Sequence, residues 1–219
     1  MAEPPDRMIG RLAVIGDVHA ADERLERALR TAAALAPDRI ACTGDIVDGA
    51  GSVERCCALL RDYDVACVRG NHDRWLFSGL MRVGKSATQL HTLSDGDRQY
   101  LQALPATRVF QTVRGSLLLC HGIGEFDLGK ITSLDTPYAL QSNRLIKEVI
   151  AQGHAVMVNG HSHEHLVVRE GGLVIVNAGA VKEAESCGLL LLDVPANRVE
   201  WHSLTEPPAA VAGQALFLS

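Results

Sequence analysis

The chain's 219 residues suit one large domain or two small ones, and 47% apolar residues with only 4% aromatics require a core of Leu, Val, Ile and Ala. A net charge of −5 supplies no basic field for nucleic acid or anionic lipid, which argues against both as partners. No apolar run approaches the ~20 residues of a membrane span, so no membrane association is expected.

In chain order, "RLAVIG" (11–16) reads as a buried strand. The stretch 21–36 reads as a helix stopped by Pro37. "DRIACTG" (38–44) is a second strand, "SVERCCALLRD" (52–62) a helix with Ser52 as cap, and "YDVACVRG" (63–70) a third strand. This β-α-β-α-β order predicts a parallel sheet. Residues 75–93 read as an insert that shapes a binding mouth. A helix over 94–104 starts at Ser94 with Asp97 three residues on. Two strands follow within "TRVFQTVRGSLLLCHG" (107–122), turning at Arg114-Gly115, then a helix around 138–151 and a strand over 154–160. A hairpin turns at Gly171-Gly172, and two more strands, "GLLLLDV" and "RVEWHSL", end the predicted elements. The sum is about nine strands and four helices, parallel early and hairpin-rich late. Residues 1–8 read as a flexible tail, 9–204 as one domain, and 205–219 as a peripheral tail whose apolar end could dock. "MAEPPDRMIG" lacks an apolar signal core. The six cysteines form no C-x-x-C pair, and the expectation is buried, reduced thiols in a cytoplasmic protein.

The strand ends carry the chemistry. After the first strand come Asp17 and His19, after the second Asp45 and Asp48, and after the third Asn71, His72 and Asp73. "SLLLC" is followed by His121, and "HAVMVN" by His161 and His163. Carboxyl ends of neighbouring strands line one crevice in α/β sheets, so these groups should meet. In Asp17-x-His19 and His161-x-His163, residues two apart project to the same side if the chain stays extended. Singly, Asp17, Asp45 or Asn71 would be a turn or cap residue, and His121 or His161 a structural histidine; five strand ends together favour a site. Oxygen and imidazole donors without thiolate suit Mn²⁺, Fe²⁺ or Zn²⁺. These donors are too many for one such ion with open positions but suit two, with Asp45 bridging. The ions would supply the positive field that an acidic chain needs to attract a phosphate ester.

"GDVH", "GDIVD", "GNHD", "HG" and "GHSH", in this order over residues 16–163, closely resemble the five motifs of the calcineurin-like metallophosphoesterases. "NAG" at 177–179 is similar to the strand end that follows the last motif in bacterial members. The resemblance implies an α/β fold, a four-layer αββα sandwich of two mixed β-sheets flanked by helices. It implies a dinuclear site with Mn²⁺ first among the candidate metals and Fe²⁺/Fe³⁺ or Zn²⁺ as alternatives. By motif position one ion takes Asp17, His19, Asp45 and His163, and the other Asp45, Asn71, His121 and His161. His72 would face the leaving group or nonbridging phosphate oxygens, held by a carboxylate. Asp48 fills that role in similar enzymes, Asp73, next to His72 in sequence, is the rival although consecutive residues usually point apart, and Asp48 could instead cap the helix near Ser52. Asn71 would also touch substrate.

Phosphoester hydrolysis by a metal-bridging hydroxide is the implied activity. The family's serine/threonine protein phosphatases carry Arg-Gly straight after the second motif's last Asp, whereas here Asp48 is followed by Gly49-Ala50. A guanidinium fork is a major grip on a dianionic monoester. Its absence places a diester ahead of a monoester, and the compact chain with "GHSH" resembles the small bacterial phosphodiesterase-type members. Arg74 could replace the clamp, or could be a surface arginine paired with nearby acids. The alternatives are a phosphomonoesterase or protein phosphatase of the family, and a non-catalytic protein-interaction scaffold such as the retromer subunit of this fold.

Overall fold

The computed structural model describes residues 8–80, 84–181, 188–204 and 210–217. All but Met8 of the tail read over 1–8 lies outside the described residues. Among the described residues eleven strands form two mixed sheets. The first has the order β11 (Ala210–Ala215), β10 (Arg198–His202), β9 (Leu189–Asp193), β1 (Arg11–Ile15), β2 (Arg39–Cys42), β3 (Ala66–Cys67). Here β1, β2 and β3 are parallel, and β9, β10 and β11 add antiparallel neighbours. The second has the order β4 (Thr107–Thr112), β5 (Gly115–Cys120), β6 (Val156–Asn159), β8 (Leu173–Ala178), β7 (His165–Glu170). Its centre, β5-β6-β8, is parallel, and the hairpin partners β4 and β7 close its edges antiparallel.

Strand alternation explains the layering. In β1, Ala13 and Ile15 face a cluster containing Leu25 and Leu29 of α1 (Asp22–Ala34) and Cys56 and Leu60 of α2 (Val53–Asp62). Leu12 and Val14 of the same strand face a second cluster, which holds Leu117 and Leu119 of β5 and Val156 and Val158 of β6. Leu118 and Met157 turn the other way, into a third cluster with Ile146 and Val149 of α6 (Arg144–Ala151). Three apolar interfaces thus separate helices, sheet, sheet and helices, the four-layer α/β arrangement. Parallel strands buried on both faces read as continuous apolar runs, as β1, β6 and β8 do.

Several boundaries differ from the sequence reading. The third strand shrinks to Ala66–Cys67, because Tyr63 ends α2 and Asp64 takes a left-handed φ of 49°. The helix expected over 138–151 is two, α5 (Pro137–Ser142) and α6. Asn143 leaves the helical region at ψ 117°, and its side chain accepts from Leu145 N and Ile146 N. Part of the 75–93 insert belongs to α3 (Asn71–Ser78), which begins inside the third motif. Residues 210–215, within the stretch read as a tail, add the edge strand β11. Ser52 and Ser94 cap α2 and α4 (Asp95–Gln102), accepting from Arg55 N and Asp97 N.

Cys42, Cys56, Cys57, Cys67 and Cys120 are buried free thiols, while Cys187 lies outside the described residues. Burial pushes Cys56 and Cys120 up to about 12, so neither forms a thiolate readily. Among the described residues no helix is long and apolar enough to cross a membrane.

Candidate metal centre

The parallel cores of the two sheets release their carboxyl ends into one crevice. Asp17 follows β1, Asp45 follows β2, Asn71 opens α3 after β3, His121 follows β5 and His161 follows β6. Asp17, Asp45, Asn71 and His121 are almost completely buried, so each needs a partner of opposite character. Ligand-capable atoms fall into three groups, each within 4.8 Å: Asp17, His19 and His163; Asp45, His121 and His161; and His19, Asp45 and His72.

The chain does not stay extended through its two D-x-H and H-x-H pairs, contrary to the sequence expectation. His19, Asp45, Asp48, His161 and His163 have φ of 47°, 46°, 67°, 63° and 61°. Left-handed turns, not strand alternation, aim these side chains inward. They account for five of the nine non-glycine residues at positive φ among those described, so backbone strain concentrates at this site. Close approach makes Gly160 obligatory, since a Cβ there would lie 2.1 Å from Asp17 Oδ1.

Backbone and neighbouring side chains orient the donors. Asp17 accepts from Thr43 Oγ1 at 2.9 Å and from His161 N at 2.9 Å, and its Oδ2 lies 3.1 Å from His163 Nε2. Asp45 accepts from His72 N at 2.8 Å. Asp45 Oδ2 lies 3.4 Å from His121 Nε2 and 3.7 Å from His19 Nε2, which places it between the two groups. Nδ1 of His121 sits 2.9 Å from the Thr43 carbonyl and Nδ1 of His19 3.2 Å from that of Asp48. Carbonyls accept only, so Nδ1–H donates in each ring and Nε2 faces the centre.

This donor set fits a cation. His121 Nε2 is 2.9 Å from Asn71 Oδ1 and 3.4 Å from Asp45 Oδ2, so three potential acceptors crowd one point. A proton or a metal between them would satisfy all three. Burial opposes protonation, yet Asp45 and Asp17 outweigh it and lift His121 to about 10. Burial pushes the Asp45 carboxyl up, but the imidazoles of His121, His19 and His72 win, and it stays below its ordinary value. Burial, and then the neighbouring His121, lower His161, which favours the neutral ring a metal binds.

His72 Nδ1 lies 2.7 Å from Asp48 Oδ2. Burial lowers the pKa of His72; the hydrogen bond to Asp48 and the Asp45 and Asp48 charges outweigh it, leaving the ring more basic than usual. Its ring also lies against His19 and Trp75, with centroids 4.9 Å away in each case. Asp73 points elsewhere. Fully buried, it accepts from Ile46 N, Val47 N and Gly70 N at 2.8, 3.2 and 2.9 Å, bracing the loop that carries Asp45. Burial, reinforced by the Asp45 charge, raises it to about 7. Asp48 does not cap α2, whose cap is Ser52.

Arg74, the candidate clamp, is paired with an acid of a neighbouring loop. Its guanidinium forms a bidentate fork with Asp127, Nε to Oδ2 at 2.6 Å and Nη2 to Oδ1 at 2.9 Å. Asp127 sits in the 122–137 loop, which ties that loop to α3. At Gly49 no other residue fits, because a Cβ would lie 1.8 Å from the His19 carbonyl oxygen. The arginine absent after Asp48 is therefore excluded by this backbone. His165 stacks on Trp201, with centroids 5.5 Å apart, and His154 Nδ1 meets Ser116 Oγ at 2.9 Å.

Sequence reading missed the supporting residues. Thr43 holds both Asp17 and His121. Asn177 Nδ2 shares its two N–H groups among Asn159 Oδ1, the Gly160 carbonyl and Ser162 Oγ, and its Oδ1 accepts from Gly179 N, which fixes the "GHSH" turn. The available signal was two asparagines ending otherwise apolar strands, "VMVN" and "VIVN".

A family model, the calcineurin-like phosphoesterase superfamily domain, matches residues 11–196. No curated protein matches the sequence. Among solved structures, a metallophosphoesterase from Sphaerobacter thermophilus is similar at 22% identity and TM-score 0.67, over 87% of this chain and 86% of that one. The phosphoesterase YfcE from E. coli is similar at 18% identity and TM-score 0.58, over 94% and 100%. Chaetomium thermophilum Vps29 is similar at 17% identity and TM-score 0.56, over 95% and 96%. At these identities the structural likeness establishes shared fold. The family model spans most of the chain and every donor described above, and the protein belongs to the calcineurin-like phosphoesterase superfamily.

Proposed function

We propose that the protein is a dinuclear, divalent-metal-dependent phosphoesterase that acts on phosphodiesters ahead of monoesters. The observation that carries this reading is Asp45, which lies between the Asp17–His19–His163 group and the His121–His161 group. Asp17, His19, Asp45 and His163 would hold one ion; Asp45, Asn71, His121 and His161 would hold the other. Mn²⁺ is the first choice, with Fe²⁺/Fe³⁺ and Zn²⁺ as alternatives that the same donors accept. When bound, such ions polarise phosphoryl oxygens and make water a nucleophile at neutral pH.

The chain's own residues do the rest. Buried Asp17 and Asp45 supply negative charge that fixes the ions, and Thr43 keeps Asp17 and His121 in register. Asn71 would touch a phosphoryl oxygen as well. His72 donates Nδ1–H to Asp48, which leaves Nε2 for the substrate. As an imidazolium, that nitrogen gives a proton to the departing oxygen or a hydrogen bond to a nonbridging one. Preference for a diester rests on the phosphate side. Gly49 excludes the clamp that a dianion needs, and Arg74 is committed to Asp127.

Manganese-loaded protein should hydrolyse bis-p-nitrophenyl phosphate faster than p-nitrophenyl phosphate. The opposite order would reject the diester preference. Full metal occupancy without turnover of any phosphoester would favour an interaction scaffold on this fold.

A further inference from the structure

We infer that Thr88 is a positioning residue that latches the 84–93 segment to Asp48 and thereby sets the orientation of His72. The inference rests on the phosphoesterase reading for its kinetic consequence, but not for its geometry. Asp48 and Thr88, forty positions apart, make a reciprocal pair. Asp48 N donates to Thr88 Oγ1 at 2.9 Å, and Thr88 N donates to Asp48 Oδ1 at 2.8 Å. The second carboxylate oxygen, Oδ2, is the one that accepts from His72 Nδ1 at 2.7 Å. One carboxylate is thus held at both ends, by the segment and by the imidazole.

Two features make this latch more than a loop contact. Asp48 has a φ of 67°, a left-handed conformation that a non-glycine residue holds only where its surroundings impose it. Its N–H bond to the threonine hydroxyl is part of what imposes it. In addition, Lys85, Ser86, Thr88 and Gln89 face Gly49 and Ser52 across a cavity of about 360 Å³. Leu93 anchors the far end of the segment in the apolar cluster that holds Ile46 and Val47, and the hydrogen-bond pair fixes its middle to the Asp48 loop. The third motif supplies His72 and the second supplies Asp48, but the 84–93 segment decides where the carboxylate points.

The test compares Thr88→Val, which keeps volume and the N–H to Asp48 Oδ1 but removes the hydroxyl that accepts from Asp48 N and holds its left-handed backbone, with Thr88→Ser, which retains it. In zinc-loaded protein, which is diamagnetic, the His72 Nδ1–H proton should give a downfield NMR resonance in wild type and Thr88→Ser and lose it in Thr88→Val. With bis-p-nitrophenyl phosphate, Thr88→Val should lower kcat about tenfold, part of the ~10²–10⁴-fold that a positioned acid contributes. KM and bound metal per chain should stay at wild-type values, and Thr88→Ser should restore kcat. A Thr88→Val protein that keeps both the resonance and wild-type kcat overturns the latch. If wild type hydrolyses no phosphoester, the functional proposal fails, and the resonance alone decides the latch.

Discussion

Asp48→Asn isolates the His72–Asp48 contact with almost no change in volume. Asparagine Oδ1 still accepts from Thr88 N, as Asp48 Oδ1 does at 2.8 Å. Its amide nitrogen replaces Oδ2, 2.7 Å from His72 Nδ1, and cannot accept a proton. The ring must break the bond or surrender its Nδ1 proton and accept instead. In both cases the imidazolium loses its carboxylate. A hydrogen bond to a charged group contributes about 1.5–3 kcal/mol, so kcat should fall roughly 10- to 150-fold. Metal content should not change. His19 donates to the Asp48 backbone carbonyl, which the substitution leaves in place. The assay is steady-state hydrolysis of bis-p-nitrophenyl phosphate by manganese-loaded protein, with elemental analysis of the same preparation. A kcat within twofold of wild type at equal metal content would refute the role given to Asp48.

Two further substitutions address the scaffold around the centre. Asp45→Asn should weaken both metals together, because Asp45 borders both donor groups; two ions per chain in the mutant, measured by elemental analysis, would contradict bridging. Asp73→Ala should strip three buried N–H donors of their acceptor, at about 1–3 kcal/mol for each left unsatisfied. Calorimetry should show Tm lower by at least ~5 °C for a chain of this size, and an unchanged Tm would remove Asp73 from the bracing role.

The sequence by itself determined the donor inventory and the layered architecture. Apolar runs such as "VMVN" and "LLLLD" must be buried on both faces, and parallel strands must end in one direction, so ligands at strand ends belong together. Asp48 and Asp73 were both visible as partners of His72, Asp48 by motif position and Asp73 as the adjacent residue, which usually points away from its neighbour. What the tertiary structure decided were contacts between segments far apart in the chain. The fork from Arg74 to Asp127, the bracing of residues 46 and 47 by Asp73, and the pairing of Asp48 with Thr88 depend on loop paths that no periodicity encodes. The left-handed turns at His19, His161 and His163 were hidden for a related reason. Histidine has no intrinsic preference strong enough to announce a positive φ; the packed crevice imposes it.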